Sequence, residues 1–217
     1  MGAFSWLNLR FLLMGLKVTV EVSITSILLS FLIGSILGVL RFWKIPVFSR
    51  VLEILIDITR NLPLLLIIFF TYFALPQILG LRLSIFWSAV LALTIFESAM
   101  LSEIIRAGLN AVPKGQMEAG LSTGLSLIEV LRIIIIPQAY KMMIPAIVSQ
   151  FISLIKDTSL AVIITLPEFM HQAQIIYGQN SNYVLPMFTA LAVGYFMICY
   201  CLSLLARFIE KHMSYTC

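Results

Sequence analysis

Apolar residues in this chain gather in blocks far longer than a β-strand, and polar residues are confined to the passages between them. Five blocks stand out, at about residues 18–40, 51–79, 83–101, 138–155 and 183–206. A helix needs about 20 apolar residues to cross the hydrocarbon of a bilayer. Every backbone polar group must be satisfied internally there, which leaves helices or a closed barrel. The blocks lack the apolar/polar alternation of barrel strands. The pattern therefore predicts an all-α membrane protein of about five transmembrane helices. Residues 1–13 are mildly amphipathic and read as interfacial. The segment 156–182, from KDTSL to QNSN, is too broken by charge and proline for a simple span and reads as re-entrant or interfacial. Gly34 and Gly38 give the first span a small-xxx-small spacing suited to close helix contact.

Composition agrees. Hydrophobic residues make up 61% and charged ones 11%, against about a quarter charged in soluble domains. The net charge of +4 is spread along the chain, an orientation signal rather than a nucleic-acid footprint. Cys199, Cys201 and Cys217 give neither a disulfide framework nor a metal pattern, and His171 and His212 are isolated, so no metal site is expected. The N-terminus shows no clear cleavage site and no myristoylation signal. With no linker, repeat or low-complexity tract, residues 1–217 read as a single domain.

Lys and Arg set the expected orientation. One side collects Arg41, Lys44, Arg50, Arg106, Lys114, Arg132, Lys141, Arg207 and Lys211; the other holds Arg10, Lys17, Arg82 and Lys156. Nine against four, with Arg60 inside the second span, makes the first side cytoplasmic. Five spans then put the N-terminus outside and the C-terminus in the cytoplasm.

The polar passage at about residues 103–137 would face the cytoplasm, and it looks built. Pro113, Lys114 and Gly115 carry turn chemistry. Residues 116–122 can form a short helix with Glu118 in its first turn, where the helix dipole favours negative charge. Gly124 suits its end. Ser126 and Glu129 can cap a second helix, and Pro137 should displace the carbonyl of Ile133 and bend the chain as it re-enters the membrane. A helix-turn-helix DNA reader is a poor alternative, because the second helix is apolar and carries one arginine.

Glu118-Ala119-Gly120, three residues, Gly124, nine residues, then Ile134-Ile135-Ile136-Pro137 resembles the "EAA" signature of permease subunits of bacterial ABC importers. That signature is Glu-Ala-Ala, three residues, Gly, nine residues, Ile-x-Leu-Pro. Gly120 replaces the second alanine and Ile136 the leucine. "VPKGQMEAG", "PQAYKMMIPAI" and "LIKDTSLAVI" are similar to the branch that carries polar amino acids, as are Gly15, Thr19 and Ser23 in the first span. "TRNLPLL" stands where that branch usually has Arg-Gly-Thr-Pro.

The resemblance implies a type I importer permease in the bacterial cytoplasmic (inner) membrane. It implies a cytoplasmic coupling-helix hairpin that docks on a separate ATP-binding cassette subunit, with Lys114, Gly115, Glu118, Ala119 and Gly124 as coupling residues. It also implies a dimer with an identical or homologous permease and an extracytoplasmic amino-acid-binding protein. No G-x-x-x-x-G-K-[ST] occurs in the chain; no catalytic residue and no bound cofactor are expected, ATP and Mg²⁺ belonging to the partner.

Four charged residues are candidates for the substrate pathway. Glu97 follows fourteen uncharged residues, and a carboxylate at that depth costs on the order of 2.5–3.5 kcal/mol. It is either satisfied by neighbouring polar side chains or lines the path; in the branch a small polar residue usually stands here, so Glu97 points to a substrate with a positive side chain. Asp57 and Arg60 share a helix face, as an internal ion pair or with Asp57 on the pathway. Lys156 is a snorkelling helix end or part of an outer gate. The expected cargo is a basic amino acid, with glutamine or cystine as alternatives. A membrane enzyme lacks a cluster of catalytic residues, and a regulatory scaffold would move no substrate.

Overall fold

The computed structural model describes residues 2–43, 45–80 and 82–214, with side chains described through Phe208. Lys44 and Cys217 lie outside the described residues, as do the side chains of Lys211 and His212. Helix α1, Trp6–Phe42, is capped by Ser5, whose hydroxyl accepts from the Asn8 amide. Its 37 residues are about 55 Å long at 1.5 Å per residue, well beyond a hydrocarbon core of about 30 Å. Residues 6–13, expected as a separate interfacial segment, instead continue directly into the span.

The second predicted span is broken. Helix α2, Phe48–Asn61, is followed by α3, Leu64–Phe69, a π turn at Phe70–Ala74, and α4, Leu75–Leu79. The axis turns by 102° between Phe48–Asn61 and Leu64–Leu79. Pro63 causes the break: its ring disfavours helical geometry in the preceding residue, and Leu62 has an extended ψ of 142°. A hydrophobicity reading ran across this elbow because α2 is amphipathic and supplies apolar residues at helical spacing.

Helix α5, Ile85–Ala111, leads to α6, Lys114–Ser122, and α7, Leu127–Val130. A π turn at Leu131–Ile135 then joins α8, Ile136–Asp157, and a 3₁₀ turn, Thr158–Ile164. Helix α9, Phe169–Gln179, precedes the last long helix α10, Val184–Ser214. Both π turns end two residues before a proline, Pro76 and Pro137. The wider turn gives room for the ring and for the missing amide. The bend expected at Pro137 is thus taken up as a π turn, and the helical run Leu127–Ile164 continues through it. Among the described residues, four helices are long and apolar enough to cross a membrane, or five if the bent pair forms one span. The broken reading of residues 156–182 is matched by a 3₁₀ turn and an eleven-residue helix.

Helices α1 and α5 run parallel and touch along small residues. A Cβ on Gly34 would stand 2.8 Å from the Cβ of Leu101 and 3.0 Å from the Ser98 carbonyl oxygen. On Gly38 it would stand 2.8 Å from the Ser102 carbonyl oxygen. The expected close contact is therefore present. In lipid, where no hydrophobic force drives helices together, such approach is the main source of packing energy. Buried hydroxyls recur on both helices, Ser23, Ser26 and Ser30 on α1 and Ser88, Ser98 and Ser102 on α5. Several donate to carbonyls of their own helix, as Ser23 does to Thr19 at 2.7 Å.

Candidate functional site

The α6–α7 hairpin caps one end of the bundle. Gly124 has φ +85°, a conformation open to glycine and costly for a side chain bearing Cβ. Ser126 and Glu129 form the expected capping box: the Glu129 amide donates to Ser126 Oγ at 3.4 Å and the Ser126 amide to Glu129 Oε2 at 2.8 Å. One expectation needs correction. The first helix starts at Lys114, so Glu118 lies in its second turn, beyond the free amides of the N-terminus. Gly120, where the family signature has alanine, is buried against Val130 and Ile134.

Underneath, Val112, Val130, Leu131 and Ile135 join Ile105 and Leu109 of α5 in one apolar cluster. The outer face is exposed: Lys114, Gly115, Gln116, Glu118, Ala119 and Gly124 all face outward. Beside them Leu121, Leu127 and Ile128 are 44%, 53% and 72% exposed. A cleft of about 340 Å³ opens beside Lys114, Met117 and Glu118. A hairpin fixed from behind, with charge and uncovered apolar side chains in front, is suited to receive another protein.

The pathway candidates lie at three levels. Glu97 is fully buried. Gln150 of α8 donates its amide to Glu97 Oε2 at 2.9 Å, while Oε1 has no partner among the described residues. The buried carboxylate thus has a built-in neutral partner, in the amide of Gln150, on one of its two oxygens. Sequence reasoning missed Gln150; a glutamine inside an apolar block was the available signal.

Asp57 and Arg60 do not meet Glu97. Their ion pair, 3.8 Å, adjoins Glu103, which is 3.7 Å from Arg60. Six residues on α5 separate Glu97 from Glu103, about 9 Å along the axis. Arg41 of α1 is buried and donates to Glu103 at 2.7 Å, and Arg106 also bonds Glu103. Lys156 is exposed in the last turn of α8, where the helix dipole favours a cation.

A second buried carboxylate, Glu168, was not anticipated. It caps α9 by accepting from the amides of Met170 and His171 at 2.8 and 2.7 Å, and it accepts from the Tyr195 hydroxyl at 3.1 Å. Thr19 of α1 accepts from the Phe169 amide at 3.1 Å, and Gly15 lies against the Glu168 carbonyl. Gly15 and Thr19 of the first span therefore seat the start of α9, while Ser23 bonds back to the Thr19 carbonyl of its own helix.

Several apolar spans, a Pro elbow and a braced polar hairpin at one end define a helical membrane protein. The chain belongs to the family described as binding-protein-dependent transport system inner membrane component, which matches residues 30–215. It is 56% identical over 211 residues to the "Probable glutamine ABC transporter permease protein GlnP" of Bacillus subtilis (strain 168), covering 96% of each. It is 32% identical over 206 residues to the arginine transport system permease protein ArtQ of the same organism, covering 95% of this chain and 94% of that one. A solved structure described as an amino acid ABC transporter with histidines superposes with a TM-score of 0.86 at 30% identity, covering 94% of each chain. The inward-facing MetNI methionine ABC transporter shares the fold, with a TM-score of 0.83 at 18% identity over 96% of this chain and 99% of that one. Family, relatives and fold agree on an amino-acid ABC transporter permease, a transport subunit with the type I importer fold.

Proposed function

We propose that this chain forms the transmembrane path of an ATP-driven importer that carries a polar amino acid inward by alternating access. It works with two ATPase subunits, which bind ATP and Mg²⁺, with a second permease, identical or homologous, and with an extracytoplasmic binding protein. The observation that carries this reading is the α6–α7 hairpin, braced by apolar packing and presenting Glu118, Leu121, Leu127 and Ile128 outward. ATP binding closes the ATPases, the hairpin follows, and the bundle turns outward to accept cargo.

The hairpin must then face the cytoplasm, as the Lys and Arg distribution supports. A cysteine at Gln116 is expected to react with an impermeant maleimide only from the cytoplasmic side, and one at Asn180 only from outside. The opposite pattern would remove the ATPase from reach of the hairpin.

Glutamine is the cargo best supported, by the 56% identical relative. Glu97 already accepts from an amide, Gln150, so a cation is not needed to satisfy it. A second reading, a basic cargo, is favoured by the unpartnered Oε1 of Glu97. In vesicles holding the whole transporter, excess glutamine should suppress uptake of labelled glutamine while arginine does not, and Glu97→Gln should retain that preference. A wild type that prefers arginine, and a variant that loses about tenfold of arginine uptake, equivalent to ~1.4 kcal/mol, would establish the second reading instead.

A further inference from the structure

The elbow helix α2 meets the bundle through few buried apolar side chains and a set of ion pairs. Ile56 is its one buried residue among those described, and Val51, Ile54, Leu55 and Ile58 are each more than half exposed. Glu53, Asp57 and Arg60 recur at helical spacing on another face. Glu53 lies 3.8 Å from Arg41, and Arg60 lies 3.7 Å from Glu103. Arg41 and Arg106 both donate to Glu103. One carboxylate therefore gathers guanidinium groups from α1, α2 and α5.

Glu103 also sits where force from the hairpin would arrive. It is eight residues before the end of α5, and the next turns, Ile105 and Leu109, pack against Val130, Leu131 and Ile135. Beyond the 102° elbow, Leu64, Ile67 and Ile68 of α3 enter a different apolar cluster with Val22, Leu93 and Ile164. The hairpin is thus joined to α5 by apolar packing, and α5 and α1 are joined to α2 by ion pairs as well as by the buried Ile56. A cleft of about 320 Å³ opens onto Arg41, Glu53 and Arg106, so water can reach the network while it rearranges.

We infer that Glu103 is a positioning residue for transport: by holding Arg41, Arg60 and Arg106 together, it makes the α2–α3 elbow move as one body with α5 and the hairpin. This rests on the hairpin being the ATPase contact. A structural role alone would affect yield and stability. The positioning role affects how much amino acid moves for each ATP hydrolysed.

The test uses the complete transporter in vesicles. Glu103→Gln and Arg60→Gln should each continue to hydrolyse ATP while amino acid moved per ATP falls roughly tenfold, within the usual range of coupling between sites. The double variant should fall no further than either single one, as expected for one shared interaction. Arg60→Gln leaves the Arg41–Glu103–Arg106 contacts in place, so it decides the matter if Glu103→Gln does not assemble. Spin labels at Ile54→Cys and Gln116→Cys, in a chain without its native cysteines, supply a second readout. Their separation should keep one narrow distribution in every nucleotide state of the parent chain and broaden in the Arg60 variant. Unchanged stoichiometry, or a distribution that stays narrow in the variant, would overturn the inference. A parent chain with no ATP-driven uptake at all would instead overturn the importer reading beneath it.

Discussion

Glu118→Lys and Gly124→Val are each expected to reduce ATP-dependent amino-acid uptake to background while the chain still reaches the membrane. The two changes act on different properties of one surface. Glu118 is exposed on α6, so reversing its charge leaves the fold intact and alters only what the outer face offers a partner. Like charges brought together across an interface cost several kcal/mol, enough to abolish docking. Gly124 has φ +85°, and a β-branched residue there costs on the order of 1–3 kcal/mol in backbone strain. The turn relieves that strain by changing shape, which moves α6 relative to α7. Uptake in vesicles, normalised to the amount of membrane-inserted chain, is the measurement. Normal uptake by both variants would show that the hairpin is not the coupling surface.

Gly38→Leu should be the most destabilising single change in the bundle. The first added carbon would already lie 2.8 Å from the Ser102 carbonyl and 2.9 Å from the Ile105 side chain. The nearest atom is backbone, so the helices must separate, and overpacking of this kind costs about 1–3 kcal/mol or more. Separation also loosens the contact at Gly34 one turn earlier. Gly178 provides the control. It is exposed on α9 with nothing within 4 Å of an added Cβ, and Gly178→Ala should raise stability by as much as about 1 kcal/mol through helix propensity. Thermal unfolding of the purified chain should show Gly38→Leu melting well below the parent and Gly178→Ala at or slightly above it. Equal melting of Gly38→Leu and the parent would mean that α1 and α5 do not meet at these glycines.

Residues whose role is local were legible in the sequence. The capping pair Ser126 and Glu129, the turn glycine Gly124 and the seam glycines Gly34 and Gly38 each act through backbone geometry or through spacing on one helix. Chain direction was harder to read. Leu62-Pro63 reorients the chain by 102°, yet hydrophobicity is continuous across it, so averaging over a window conceals the break. The start of α6 was placed two residues late because Lys114 and Gly115 read as turn residues, and Glu118 was accordingly put in the wrong turn.

Pairings over long range were the least legible. Arg41 and Glu103 are 62 positions apart, and Gln150 and Glu97 are 53 apart. Each partner alone resembles an isolated polar residue near a span. Asp57 and Arg60 were recognised as a pair, but their link to Glu103 required α2 to be laid against α5, which periodicity does not encode. Glu168 looked like part of a broken segment; it caps α9 locally, through the amides of Met170 and His171, but its bond from Tyr195 of α10 spans 27 positions.

The most direct test of the account is uptake by the complete transporter. The chain, its ATPase and its binding protein would be reconstituted in vesicles with ATP supplied on the hairpin side. Labelled glutamine should accumulate against its gradient, dependent on ATP and on the binding protein, with no accumulation when the ATPase is omitted. Accumulation that proceeds without the ATPase, or no movement of any amino acid while ATP is hydrolysed by the assembled complex, would contradict it.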